Sequence, residues 1–296
     1  MHRIARIAIA ALASVGMLAS VAACGSGQST SEKNGTIEVA ASVNQWGTVA
    51  KALGGDNVNV TSIINSTNVD AHDYEPTTSD IAKLQKAQVI IVNGAGYDAW
   101  AVKAAQTANA IIVNAAEIGG VNDGENPHVW FSADVRKAVA QAITEAYEQA
   151  DAAKKNDLDK MNDQWAAEEN NVESKIAEVK QKTDGLAYAA TESVASYLAE
   201  DMGLADATPS GYARATANES EPTPTDIKQF TDALKAGEIK LLVVNTQEES
   251  ELTGKITDAA KSVEVPMVEL TEQMPEQYDS LTAWIAALVD AFSQAI

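Results

Sequence analysis

The sequence predicts an α/β protein of two doubly wound parallel-sheet lobes linked by one long α-helix. Three observations predict it. Short apolar runs rich in β-branched residues alternate with helical patterns in the first half of the 296-residue chain. Residues 133–182 contain neither Gly nor Pro and are dominated by Ala, Glu, Lys, Gln and Asp, a composition suited to continuous helix. After Thr183-Asp184-Gly185 the strand and helix alternation resumes.

Taken in order, the apolar runs 36–43, 58–64, 89–92 and 111–114 read as strands, with helices over 45–53, 79–86 and 97–107 between them. Strands alternating with helices imply a parallel sheet covered on both faces. A charged stretch beginning at Asp151 is where one helix ends and a second begins, over 156–182. At 1.5 Å per residue the second helix is about 40 Å long, the size of a small domain, and reads as a rigid strut. Beyond it, 186–190, 240–245 and 265–270 read as strands, and 193–202, 225–236, 253–263 and 277–295 as helices. Gly203 is placed to stop the first of these, since glycine readily takes the left-handed helix-ending conformation. The Pro-containing stretch 208–224 reads as a long surface loop. The expected organisation is an N-terminal lobe over 36–132, a helical linker over 133–183 and a C-terminal lobe over 184–296. Each lobe is expected to have its own core, with a cleft between them.

The first residues have a targeting layout. Arg3 and Arg6 precede an uncharged run of Ala, Leu, Ile and Val that ends in small residues, as in a secretory signal peptide over 1–23. Val21-Ala22-Ala23-Cys24 resembles the bacterial lipobox, which makes Cys24 the expected lipidated first residue of the mature protein. Residues 24–35, small and polar, read as a flexible tether. The expected location is the extracytoplasmic face of the cell membrane, held by the lipid anchor.

Composition narrows the function. Removal of the first 23 of 296 residues leaves 273; losing Arg3 and Arg6 from 21 basic residues against 42 acidic ones takes the formal charge from −21 to −23. Such a surface excludes nucleic acid as the expected partner, because phosphates need a basic footprint. Cys24 is the single cysteine, so neither an internal disulfide framework nor a cysteine-rich metal site can form. No P-loop pattern is present, so any ATPase is a separate chain.

Three histidines exist, and His2 leaves with the leader. His72, in Asp70-Ala71-His72-Asp73-Tyr74-Glu75-Pro76, and His128, in Asn126-Pro127-His128-Val129-Trp130, both fall in loops after strands. Ligands of open α/β sheets bind beyond the carboxyl ends of the strands, and imidazole is the commonest transition-metal ligand. In the second lobe Glu192 directly follows one strand and Glu272 lies two residues after another. Two imidazoles and two carboxylates offer four N/O donors with a net charge that balances a divalent cation, suiting Zn²⁺, Mn²⁺ or Fe²⁺. Spacing leaves Asp70, Asp73, Glu219 and Glu221 as rival carboxylates. Tyr74, Trp130, Asn245 and Gln247 lie close enough in sequence to orient such donors, whereas Trp46 and Trp284 read as packing.

These segments carry a family resemblance. His72-Asp73-Tyr74-Glu75-Pro76-Thr77, Lys86-Ala87, Val92-Asn93-Gly94, Asn126-Pro127-His128-Val129-Trp130, the run YLAEDMGL from Tyr197 to Leu204, and Glu221-Pro222-Thr223-Pro224 together resemble the manganese/zinc-type solute-binding proteins of metal ABC importers. The resemblance covers essentially the whole mature chain. It implies an ion held by four side chains between lobes joined by a long helix, with His72 and His128 as ligands. Zinc-type members carry histidine at the third position and manganese-type members glutamate, so Thr191-Glu192-Ser193 implies Glu192 as third ligand. The fourth ligand is usually Asp after Thr; here Thr271-Glu272 keeps the carboxylate on a longer arm. The His-rich acidic loop of many zinc-type members is missing. The resemblance implies a monomeric, non-catalytic binding protein that delivers Mn²⁺ or Zn²⁺ to a membrane ABC permease with a cytoplasmic ATPase. Competing readings are a sister binding protein for an iron chelate, haem or cobalamin, and a metal-dependent hydrolase. The first needs an aromatic or Arg-rich cleft and the second an open metal site. The resemblance also leaves room for a surface adhesin role as a second activity.

Overall fold

The computed structural model describes residues 35–296. The leader, Cys24 and the tether up to residue 34 lie outside the described residues. Strand β1 (Ile37–Val43) leads into α1 (Asn44–Gly54), followed by β2 (Val58–Ile64), α2 (Thr78–Lys86), β3 (Val89–Val92), α3 (Ala99–Ala105), β4 (Ile111–Asn114) and α4 (Ala115–Gly119). Helices α5 (Ala133–Ala150) and α6 (Lys155–Thr183) come next. The remaining chain runs β5 (Ala187–Ala190), α7 (Ser196–Asp201), β6 (Ala205–Asp206), α8 (Ser210–Ala217), α9 (Pro224–Lys235), β7 (Leu241–Asn245), α10 (Glu251–Ser262), β8 (Met267–Leu270) and α11 (Leu281–Ala295).

Two four-stranded sheets result, ordered β2-β1-β3-β4 and β6-β5-β7-β8. Every pairing is parallel, for example Val39 opposite both Val60 and Val89, and Val243 opposite both Ala190 and Val268. The two halves therefore repeat one topology. In each, the chain leaves the first strand toward one edge and returns to its other side for the third. Loops diverge at that reversal and leave a crevice at the carboxyl ends of the strands. The central strands are apolar throughout because both faces are covered: all of β3 and all of β7 are buried.

Helix α6 has 29 residues and is about 44 Å long at the standard rise. Its buried residues Leu158, Trp165, Glu169, Val172, Ile176 and Val179 recur at helical spacing and mark one face. That face packs on α5, α1 and α11. Within it, the Arg136 guanidinium donates to Glu169 through Nε at 2.9 Å and to the Trp130 carbonyl through Nη1 at 3.0 Å. The strut is thus joined by a fully buried ion pair to the segment that carries His128.

Several expectations need correction. The two halves do not keep separate cores: one apolar cluster runs from Trp46 and Trp130 through Phe131 to Trp284 and Leu288, because α11 folds back onto α1 and α6. Smaller clusters cover the outer face of each sheet. The stretch 208–224 is not all loop, since α8 occupies its first part and buries Tyr212 against Phe230. The C-terminal helix starts at Leu281 rather than near 277, where Ser280 Oγ accepts the Ala283 N–H. The helix expected over 97–107 begins later, at Ala99, because Asp98 is occupied in accepting the Asn93 and Gly94 N–H groups. Gly203 behaves as expected: its φ of 72° ends the turn after α7. Among the described residues no helix is long and apolar enough to cross a membrane.

Candidate metal centre

The four expected donors converge. His72, His128, Glu192 and Glu272 each offer one ligand atom within 4.8 Å of the others. His72 sits in the loop between β2 and α2, where the Asp70 carboxylate accepts its backbone N–H at 2.8 Å in an Asx turn. His128 ends the loop after α4. Glu192 leaves the end of β5, and Glu272 follows β8, the outermost strand of the second sheet. The lobes thus contribute one pair each, imidazoles from the first and carboxylates from the second.

Each donor is positioned by a neighbour. The Asn126 side-chain oxygen accepts both the backbone N–H of His128, at 3.0 Å, and its Nδ1, at 2.6 Å. Nδ1 is therefore the protonated nitrogen, and the Nε2 lone pair faces the other donors. That Nε2 is buried and has no hydrogen-bond partner among the described residues. It points at Glu192 Oε1, 3.9 Å away, and at Glu272 Oε1, 3.8 Å away. Asn245, at the end of β7, donates its amide to Glu192 at 2.6 Å. Tyr97 donates its hydroxyl to Glu272 Oε2 at 2.9 Å and receives the Gln273 amide at 2.6 Å. Gln247 accepts the Glu272 N–H at 3.1 Å and donates to the Val69 carbonyl across the cleft, also at 3.1 Å.

Electrostatics set the two carboxylates apart. Burial, and then the Glu272 charge, push the Glu192 carboxyl far above its ordinary range. Burial pushes Glu272 the same way, but the facing His128 and His72 rings outweigh it and hold Glu272 low. Burial lowers His128, against the opposing pull of the Glu272 carboxylate. Burial, then the Glu272 charge, raises Tyr97 well above the ordinary phenol and keeps it a donor. A site with an unpartnered buried imidazole nitrogen and two carboxylates forced to share a proton fits a small divalent cation.

The other residues singled out in the sequence fall into place around this group. Asn245 holds the carboxylates and Gln247 the Glu272 backbone, as described. Trp130 stacks edge-on against His128 at 5.3 Å, whereas Tyr74 turns away to Asp80, with its hydroxyl 2.8 Å from Oδ2. Trp46 is core, with its indole N–H on Asn93 at 3.0 Å, and Trp284 packs on Phe131. The rival carboxylates Asp70, Asp73, Glu219 and Glu221 lie outside the four-donor group and line the adjoining cleft of about 910 Å³. No Lys or Arg lines that cleft among the described residues. Sequence reasoning missed Tyr97, taken as the start of a helix, and gave Asn126 no role. An Asn two residues before a loop His is the signal that Asx-turn chemistry offers.

Comparison with known proteins decides the lineage. A profile of the zinc-uptake complex component A periplasmic family, ZnuA, matches residues 39–295. The chain belongs to the ZnuA family. Relatives of this ZnuA-family chain include the manganese ABC transporter substrate-binding lipoprotein PsaA of Streptococcus pneumoniae, 25% identical over 259 residues, 78% of this chain and 79% of PsaA. Another is the iron ABC transporter substrate-binding lipoprotein MtsA of Streptococcus pyogenes serotype M1, 26% identical over 236 residues, 72% of this chain and 73% of MtsA. The fold is similar to that of the periplasmic zinc-binding protein TroA from Treponema pallidum, with a TM-score of 0.74 at 14% identity, covering 88% of this chain and 99% of TroA.

Proposed function

We propose that this protein captures one divalent transition-metal ion, Mn²⁺ or Zn²⁺, with His72, His128, Glu192 and Glu272, and hands it to a membrane ABC permease driven by a cytoplasmic ATPase. The observation that carries this reading is the convergence of four donors within 4.8 Å around a buried His128 Nε2 that has no other partner. In the same reading Cys24 is lipidated, and the tether holds a monomer on the extracytoplasmic face. The working units are the lobe 36–132, the linker 133–183 and the lobe 184–296.

The cargo ion supplies a positive charge that lets both carboxylates ionise. Everything else falls to the chain. Asn126 fixes one ring, Asn245 and Tyr97 aim the carboxylates, and the aromatic wall of Trp130 and Tyr97 keeps water away from the inner side. Four protein donors leave no open position for a metal-bound water, so the site suits holding an ion rather than hydrolysis. Two carboxylates shift preference toward Mn²⁺ relative to a three-histidine set, although Zn²⁺ still outbinds Mn²⁺ at most sites. The relatives' names carry manganese and iron, in keeping with a hard donor set.

Elemental analysis of protein purified without chelator tests the reading. Near-stoichiometric metal in the parent, lost in His72→Ala and in Glu192→Ala, is the expected result. Undiminished metal in both variants, or none in the parent, overturns the assignment.

A further inference from the structure

Glu219 differs from the other exposed carboxylates of the cleft in what it faces. Its Oε1 lies 3.2 Å from Nδ1 of His72, while Nε2 of that ring faces Glu272 Oε2 at 3.7 Å. The imidazole therefore stands between two carboxylates on opposite edges, one inside the donor group and one outside it. The outer one is open to solvent: the Glu219 side chain is 73% exposed and that of Glu272 3%. Glu219 comes from the turn after α8 and His72 from the loop after β2, so the contact crosses the cleft.

The end of α8 sets the direction from which Glu219 reaches the ring. Glu219 has φ 50°, left-handed and uncommon for a residue of this type. The bend is fixed on both sides, by the Glu219 N–H on the Thr216 carbonyl at 3.0 Å and by the N–H and hydroxyl of Ser220 on the Ala215 carbonyl, each at 2.9 Å. These bonds are the Schellman pairing that closes α8, and they fix the place from which the Glu219 side chain leaves the backbone.

A neutral imidazole has one proton, and a ring that binds metal through Nε2 must carry it on Nδ1. Asn126 arranges this for His128. For His72, Asp70 is occupied by the backbone N–H, and the carboxylate facing Nδ1 is that of Glu219, 3.2 Å away. We propose that Glu219 is the positioning residue for His72: it accepts the Nδ1 proton across the cleft and leaves Nε2 free for the ion. This role rests on the metal-capture reading above. It ties the ring to closure, because parting the halves withdraws Glu219 and releases His72 to either tautomer.

The test uses the whole mature chain with Glu219→Ala and Glu219→Gln. Two-bond ¹⁵N correlation spectra of the metal-free protein report the His72 tautomer. The parent and E219Q, which keeps an acceptor oxygen, are expected to hold the proton on Nδ1, and E219A to become a mixture. Competition titration with Mn²⁺ is expected to show a loss of about 10–100-fold for E219A, most of it recovered by E219Q. Unchanged melting of the metal-free variants is expected and separates positioning from a folding defect. Metal bound by the parent, with E219A matching it in tautomer and affinity, overturns the role of Glu219 alone. Absence of metal binding by the parent overturns the capture reading, and this role with it.

Discussion

The Tyr97 hydroxyl, in the loop after β3, donates to Glu272 Oε2, beyond β8, at 2.9 Å, so a buried phenol of one half aims a carboxylate of the other. The Gln273 amide donates to the Tyr97 hydroxyl oxygen at 2.6 Å. Tyr97→Phe keeps the ring stacked between His72 and Trp130 but removes both bonds. Metal affinity is expected to fall about tenfold or more by chelator competition, in the range for residues that orient metal ligands. Stability of the metal-free protein should fall by about 1–3 kcal/mol, since Gln273 is left unsatisfied.

Asn126 performs two tasks that substitution can separate. Its oxygen holds His128, and its amide donates to the Ser193 carbonyl at 2.8 Å, beside Glu192. Asn126→Asp retains the first and loses the second, whereas Asn126→Ala loses both. The Ala variant is expected to lose about 10–100-fold in metal affinity and the Asp variant less, by isothermal titration. Equal losses would mean that the tie to Ser193 is the contact that matters.

Glu169→Ala strands the Arg136 guanidinium in the core beside α6. A buried charge without its partner typically costs about 3–5 kcal/mol. Urea denaturation should show that loss, while replacing both members, Arg136→Met with Glu169→Leu, should cost much less. A mild effect from the single change would mean that water reaches the pair.

Acidity should act on the site with a definite sign. Glu192 is raised, so in the metal-free protein it keeps a proton at neutral pH, and binding must expel it. Titration calorimetry in buffers of different ionisation enthalpy should find about one proton released per ion near pH 7, and affinity should weaken as pH falls. The metal-free fold responds differently. The contribution of raised Glu192 is present below the ordinary carboxylate range and is lost as pH rises toward its elevated value. That of lowered Glu272 is present above the ordinary range and is lost as pH falls through its depressed value. Glu192→Gln should therefore remove the alkaline decline. An unaltered stability profile would show that Glu192 is not the group concerned.

Much of this was legible in the sequence, for identifiable reasons. Strands buried on both faces, such as β3 and β7, announce themselves as unbroken apolar runs, and α6 by lacking any breaker. The histidine pair was legible because the whole sequence holds only three histidines. The carboxylates were not separable by spacing alone among the 42 acidic residues of the chain; only the resemblance ranked Glu192 and Glu272 above Glu219. Helix α8 is hidden because Pro209 and Gly211 flank its start, and strand β6, Ala205–Asp206, is too short to show a period. The shared core depends on α11 crossing to α1, a tertiary event that leaves no local mark.

The repeated strand order has an asymmetric outcome. Two halves of one topology meet at the site, yet one presents only imidazoles and the other only acids. Parting them along the cleft sorts the proposed donors by charge. The imidazoles leave with the first half, and in the proposed reading the carboxylates of the second half, being the charged donors, keep the dication longer. In that reading unloading has two stages, loss of the rings and then loss of the acids, and only the second answers to protons.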